Sequence, residues 1–197
     1  MENIPPNREI WLSIDGFPDY EVSQFGNVRN IYTGRFIKIN YNSASYRRVL
    51  LTRDDGKQQH KFIHRLVAEA FIPNPRGLKI VDHIDGNIFN NNVNNLRWCT
   101  SAQNSANRRK TDSKSTSQYK GVHCNKYSGL FNASITHNGI KINLGVFDDE
   151  ETAAQAYNSA SRYLNGEFAK LNEVDDLDDD DDINQMIIDI INMHLGE

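Results

Sequence analysis

Residues 78–104, LKIVDHIDGNIFNNNVNNLRWCTSAQN, decide how this chain reads. The apolar start suits a strand from about Leu78 to Val81, Asp85-Gly86 is a turn signal, and LRWC at 96–99 is a second short strand. Thr100 with Gln103 has capping-box spacing and predicts a helix running to about Arg109. Strand, turn, strand and helix make a compact ββα unit.

This unit sets Asp82 and His83 at the end of a strand, Asn95 beyond the turn and Asn104 on the helix. Phosphodiester hydrolysis needs a Lewis acid to neutralise charge on the scissile phosphate and a base to deprotonate water. Mg²⁺ is hard and dehydrates reluctantly, so one or two protein oxygens plus phosphate and water suffice to hold it. Asp82 and the amide oxygen of Asn104 supply that pair if the helix packs across the strand. A neutral imidazole at His83 then stands on the other side of the phosphate as the base. Other readings stay open on these residues alone: His83 as a turn histidine, and residues 88–95 as a mere turn, since Asn tolerates left-handed backbone.

Upstream, HRLVAEAF reads as a short helix with Leu66, Val67, Ala70 and Phe71 on one side, stopped by Pro73 and Pro75. Before it, YEVSQFGNVRN reads as strand, glycine turn and strand, and Arg53 to Lys57 as a hairpin loop after the strand RRVLL. Aromatics lie between cations here, and Arg29, Arg35, Lys38, Arg47 and Arg48 are candidates for phosphate contacts. Downstream, TDSKSTS is a polar linker. YKGVHC, LFNASIT and IKINLGVF are strands, the last two joined by Asn138-Gly139, a strong hairpin signal. A helix opening with Asp149, Glu150 and Glu151 follows, with Ala153, Ala156, Tyr157, Ala160 and Leu164 at helical spacing.

The tail carries an acidic run to Asp182 and a stripe of Ile183, Met186, Ile187, Ile190 and Ile191. The stripe suits docking on the body or pairing with a second copy as a homodimer. The acidic run is either solvated or a competitor of DNA for the basic surface. Ten of the 26 acidic residues and none of the 22 basic ones lie in 173–197, leaving +6 on the rest of the chain, compatible with a polyanionic partner. No apolar stretch approaches the roughly 18–20 residues that span a bilayer, and the start lacks a secretory pattern, so a soluble intracellular protein without a membrane partner is expected. Cys99 and Cys124 form no CxxC pair, which argues against zinc and for packing thiols in a reducing compartment.

The run from His64 to Asn104 closely resembles HNH endonucleases of phage and intron homing elements, over roughly residues 61–110. The resemblance implies that His83 is the general base, that Asn95 positions the His-bearing loop, and that Asp82 with Asn104 binds one divalent metal, Mg²⁺ with Mn²⁺ as the alternative. His64 matches a family position and is read as structural. EIWLSIDGFPDYEVSQFGNVRN resembles the NUMOD-type DNA-binding module that accompanies such nucleases. YKGV, GLFNASI, LGVF, EETAAQAYNSAS and GEFAKLN resemble the APETALA2/ethylene-response-factor domain. That resemblance implies a sheet entering the major groove, with Lys120, His123, Asn125, Thr136, Lys141 and Asn143 as base-reading candidates and Phe131, Ala133, Ile135, Leu144 and Phe147 as core.

The expected architecture is α+β. It comprises a small β-rich module at 1–59, a ββα-metal nuclease core at 60–110, a linker at 111–116, a three-stranded sheet plus helix at 117–172, and an acidic tail with an amphipathic helix at 173–197. The expected function is site-directed cleavage of double-stranded DNA, in a bacterial cytoplasm or in the nucleus or virus factory of a eukaryotic host. The alternatives are a DNA-binding transcriptional regulator whose HNH fold does not cut, and an acidic-tailed interaction protein.

Overall fold

A computed structural model of the chain describes residues 8–110, 115–174 and 181–196, with side chains in the last stretch from residue 183. The expected linker at 111–116 falls outside the described residues at 111–114, as does the acidic run at 175–180. The chain is α+β and forms two compact units, Met1–Thr100 and Ser101–Glu197.

In the first unit, strands β1 (Trp11–Ile14), β2 (Phe17–Ser23) and β3 (Val28–Asn30) form one antiparallel sheet. β4 (Asn40–Tyr41), β5 (Arg47–Thr52) and β6 (Gln58–Phe62) form a second. Helix α1 (Ile63–Phe71) leads to a hairpin of β7 (Ile80–His83) and β8 (Leu96–Cys99). The first strand of the ββα segment therefore sits two residues later than expected, and His83 is its last residue. α1 ends at Ile72, whose extended backbone (φ −110°, ψ 114°) is what a following proline imposes.

The boundary expected at residue 59 does not separate two cores. Ile14, Phe17, Val22, Val28, Val49 and Leu51 of the first zone are buried in one cluster with Ile63, Leu66, Val67 and Leu96 of the second. Neither zone has enough apolar area to close a core alone, so α1 lies across strands of both. The β2–β3 turn also reaches the loop of the β7–β8 hairpin: Val93 N donates to Gln24 O at 2.8 Å. At Gly26 (φ +83°) a Cβ would lie 3.0 Å from the Cβ of Asn91.

The second unit opens with α2 (Ser101–Ala106), shorter than the helix expected to reach Arg109. Strands β9 (Val122–Cys124), β10 (Phe131–His137) and β11 (Ile140–Phe147) follow in one antiparallel sheet with β10 at its centre. Asn138 (φ 49°) and Gly139 (φ 82°) make the tight β10–β11 turn. Helix α3 (Glu150–Asn165) is capped by Asp149, whose side chain accepts from Thr152 N at 2.7 Å. Its alanine face and Tyr157 pack on Val122, Ala133, Ile135, Ile142 and Leu144.

Helix α4 (Asp181–Leu195) joins the same core, with Ile187 and Ile191 fully buried and Ile183 and Ile190 packed beside them. This corrects one expectation. Residues past 173 are not a separate tail, because α4 packs on α3 and β11. Of the two uses expected for the apolar stripe, docking on the body and pairing with a second copy, the structure shows docking within one chain. Among the described residues no helix is long and apolar enough to cross a membrane.

Candidate active site and nucleic-acid surfaces

The β7–β8 register pairs Asp82 with Arg97 and His83 with Leu96. Asp82 Oδ2 accepts from Arg97 Nε and Nη2, each at 3.0 Å, and both side chains are nearly buried, at 6% and 12% exposed. A guanidinium fork on one carboxylate oxygen fixes the plane of the carboxyl group.

His83 is buried, and its Nε2 lies 3.0 Å from Asn91 Oδ1. An amide oxygen only accepts, so this contact is a hydrogen bond when Nε2 carries a proton. Asn95 Oδ1 accepts from Asp85 N at 3.0 Å, while its Nδ2 donates to Asp85 Oδ1 at 2.9 Å and to Asn90 O at 2.8 Å. Its backbone oxygen accepts from Ile84 N at 2.8 Å. Asn95 thereby ties down both ends of the loop that leaves His83. Slight burial works to raise the pKa of Asp85, but hydrogen bonds from Asn90, Asn87 and Asn95 and the charge of His83 outweigh it, and the carboxyl is held below its ordinary 3.8.

Asn91, Arg97 and Tyr46 escaped the reading of the sequence. Arg97 was findable, since a hairpin register that aligns IVDH with LRWC sets it opposite Asp82. Asn91 was not, being one of six asparagines between residues 87 and 95 with nothing local to mark it. The Tyr46 ring lies 6.3 Å from that of His83 and 5.3 Å from that of His64, a contact made only by folding.

His64, near the start of α1, meets His83 edge-on with ring centroids 5.3 Å apart. Burial first, then the charges of His83 and Arg65, push its pKa from 6.5 down to about 4. Between those values the unfolded chain binds a proton that the folded chain refuses. Stability contributed by a neutral His64 is therefore present above about 6.5 and lost as pH falls toward about 4. Thermal melts across this window should show Tm falling with pH, and His64→Phe should remove much of that dependence. Asp85 and Asp149 act below 3.8, outside the window.

A model of the HNH_3 family, described as HNH endonuclease, matches residues 61–106, and a NUMOD4 motif matches residues 9–52. Protein 3.8 of Escherichia phage T7 is 37% identical over 98 residues, covering 50% of this chain and 78% of that protein. The chain belongs to the HNH endonuclease family. An uncharacterized HNH endonuclease of Acanthamoeba polyphaga mimivirus, L247, is 42% identical over 52% of this chain and 26% of its own length. The DNA endonuclease I-HmuI of Bacillus phage SP01 is 38% identical over 49% of this chain and 56% of that one. The solved structure of I-HmuI, reported for DNA binding and cleavage, superposes at 39% identity, covering 50% of this chain and 56% of that one, with a TM-score of 0.46. The chain spans between 26% and 61% of the lengths of the three mimivirus relatives.

In the HNH segment, the first unit brings Asp82, His83 and Asn95 together. Asn104, the fourth residue of the expected set, lies on α2 of the second unit. Among the described residues no group of three or more His, Cys, Asp or Glu side chains could cage a metal. A carboxylate held by an arginine suits a hard cation that keeps most of its water better than a thiolate or imidazole cage.

The cations of the NUMOD4 segment differ in what they offer. Arg29 is engaged by Glu21 at 2.5 Å and lies 4.0 Å over the Trp11 ring, whereas Arg35 and Lys38 are exposed. Arg47 and Arg48, on β5, are half-buried, and the Nε of each is buried without a hydrogen-bond partner. The Arg47 guanidinium lies 5.6 Å from the Phe89 ring, in the loop that follows His83.

On the second unit, His123, Thr136, Lys141 and Asn143 are exposed on the sheet face opposite α3, as expected. Asn132, paired with His123, and Ser134, paired with Asn143, share that face and were missed. Asn125 is exposed in the β9–β10 turn, where its Oδ1 accepts from Tyr127 N at 3.0 Å. Lys120 precedes β9, and its Nζ donates to Ala106 O at 2.5 Å.

Proposed function

We propose that this chain is a site-directed DNA endonuclease of the homing type, hydrolysing a phosphodiester bond with one divalent cation and with His83 as general base. The observation that carries the reading is the placement of a buried His83, held at Nε2 3.0 Å from Asn91 Oδ1, next to Asp82 at the end of the same strand. With Nε2 donating to Asn91 at 3.0 Å, Nδ1 is the nitrogen able to take a proton from an attacking water. Asn91 holds the ring, and Asn95 holds the loop that aims it. Asp82, oriented by Arg97, binds the cation, Mg²⁺ with Mn²⁺ as the alternative. Asn104 keeps its place as second ligand on motif spacing alone. The cation, when bound, supplies Lewis-acid neutralisation of charge on the phosphate and leaving oxygen.

The unsatisfied Nε groups of Arg47 and Arg48 suit phosphate oxygens flanking the scissile bond, since a buried donor without an acceptor is costly until a ligand meets it. Arg29, Arg35 and Lys38 of the NUMOD4 segment add backbone contacts. The C-terminal sheet, which resembles an APETALA2/ethylene-response-factor domain, reads base edges through His123, Thr136, Lys141 and Asn143, with Asn125 at its turn.

Metal removal tests this reading. A supercoiled plasmid carrying a sequence selected from random DNA by binding to the chain is expected to relax in Mg²⁺ and to stay supercoiled in EDTA. Relaxation that persists in EDTA overturns the metal-dependent reading. Tight binding without cutting in either Mg²⁺ or Mn²⁺ makes the chain a DNA-binding regulator instead.

A further inference from the structure

Lys120 lines a cleft of about 310 Å³ in the second unit with Arg109, Lys110 and Lys170. The cleft has one carboxylate, Glu173, against four cations. Its walls are tied together by a hydrogen-bond scaffold. Asn172 Oδ1 accepts from Lys120 N at 2.7 Å, and its Nδ2 donates to Lys120 O at 3.0 Å. The buried Asn158 accepts from Asn172 N at 2.7 Å and donates to Asn172 O at 3.1 Å. Lys110 Nζ donates to Tyr119 O at 2.5 Å and Val122 O at 3.2 Å, so the basic stretch at 108–110 is stitched to the strand entry.

The fold thus holds several cations in a fixed concavity. Among the described residues no carboxylate lies within ion-pair distance of Arg109, Lys120 or Lys170. Burial, and then the charge of Lys170, pull the pKa of Lys120 down to about 8. An anion in the cleft would offset these charges, and its three or more oxygens would match several converging donors.

We propose that this cleft is a binding site for a phosphate group. Its lining includes none of Asp82, His83, Asn95, Asn104 or the exposed sheet residues His123, Thr136, Lys141 and Asn143, and none of its cations except Lys120 figured among the DNA-contact candidates. The phosphate can belong to a nucleic-acid backbone or to a free ion, and two titrations of the full chain distinguish these. In the first, affinity for a random-sequence duplex is followed against salt. The double variant Arg109→Gln/Lys170→Gln should lower the slope of log K on log salt by about 0.9, the loss of one neutralised phosphate. In the second, inorganic phosphate is titrated while the backbone amide signals of Lys120 and Asn172 are followed by NMR. They should shift in the wild type and stay put in the double variant. A response in the duplex titration identifies a nucleic-acid backbone, and a response confined to inorganic phosphate identifies a soluble anion; either supports the site. Glu173→Gln, which removes the opposing carboxylate, should tighten whichever interaction responds, and guards against a double variant that fails to fold. Unchanged slopes together with immobile amides in wild type overturn the proposal. Because both readouts are binding, a chain that fails to cut DNA leaves this test intact.

Discussion

His83→Ala is expected to lower DNA cleavage by about 10²–10⁴-fold while leaving DNA affinity within about twofold, the range that loss of a positioned general base produces. The buried imidazole is held by Asn91 at 3.0 Å, beside a carboxylate fixed by Arg97. Removing it takes away the proton acceptor without touching the exposed cations that meet phosphate. Single-turnover cleavage and anisotropy binding on the same duplex separate the two effects. Equal cleavage by variant and wild type would remove His83 from the reaction. Equal losses of binding and cleavage would make it a structural residue. Asn91→Ala should give a smaller loss, because the base remains and only its tautomer and aim are released.

Gly121→Ala is expected to destabilise the second unit by about 3 kcal/mol, combining roughly 1–2 kcal/mol for a left-handed alanine with roughly 1–3 for overpacking. Gly121 has φ +78°, and a Cβ there would lie 1.9 Å from Cδ2 of Tyr157, inside the ring's own contact distance. The Tyr157 ring cannot move aside easily, since it is 4% exposed and packed between α3 and the sheet. A loss of that size should lower the Tm of the second unit by more than about 10 °C. A second variant, Tyr157→Phe, keeps the ring and should leave the clash in place. Gly121→Ala/Tyr157→Ala should recover part of the loss if the ring is its cause. A Tm for Gly121→Ala within a degree or two of wild type would mean that the strand entry adjusts freely.

These two residues show different degrees of legibility. The DH pair, Asn95 and Asn104 were proposed because the surrounding motif resembles HNH endonucleases, whose pattern spans a short stretch of chain. The Gly in YKGV carried a family likeness, but nothing local said what it touches. Hairpin turns were equally readable, since Asn138-Gly139 and Arg53–Lys57 act through backbone torsions that depend on few neighbours. Lys120 depends on long-range contacts instead. The resemblance proposed it for base reading by position, while its side chain is held by Ala106 O, 14 residues away, and its backbone by Asn172, 52 residues away.

The sequence by itself determined most of the strands, turns and helices to within a few residues, the acidic and basic division of the chain, and the HNH and NUMOD4 motifs, because each depends on chemistry over short stretches of chain. Tertiary structure alone decided that the two N-terminal zones share one core, that the C-terminal stripe is spent on docking, and which of six asparagines holds His83. Those outcomes depend on which apolar faces and polar groups meet across long stretches of chain. Burial energy is non-directional and is satisfied equally well by many partners until the whole fold selects one.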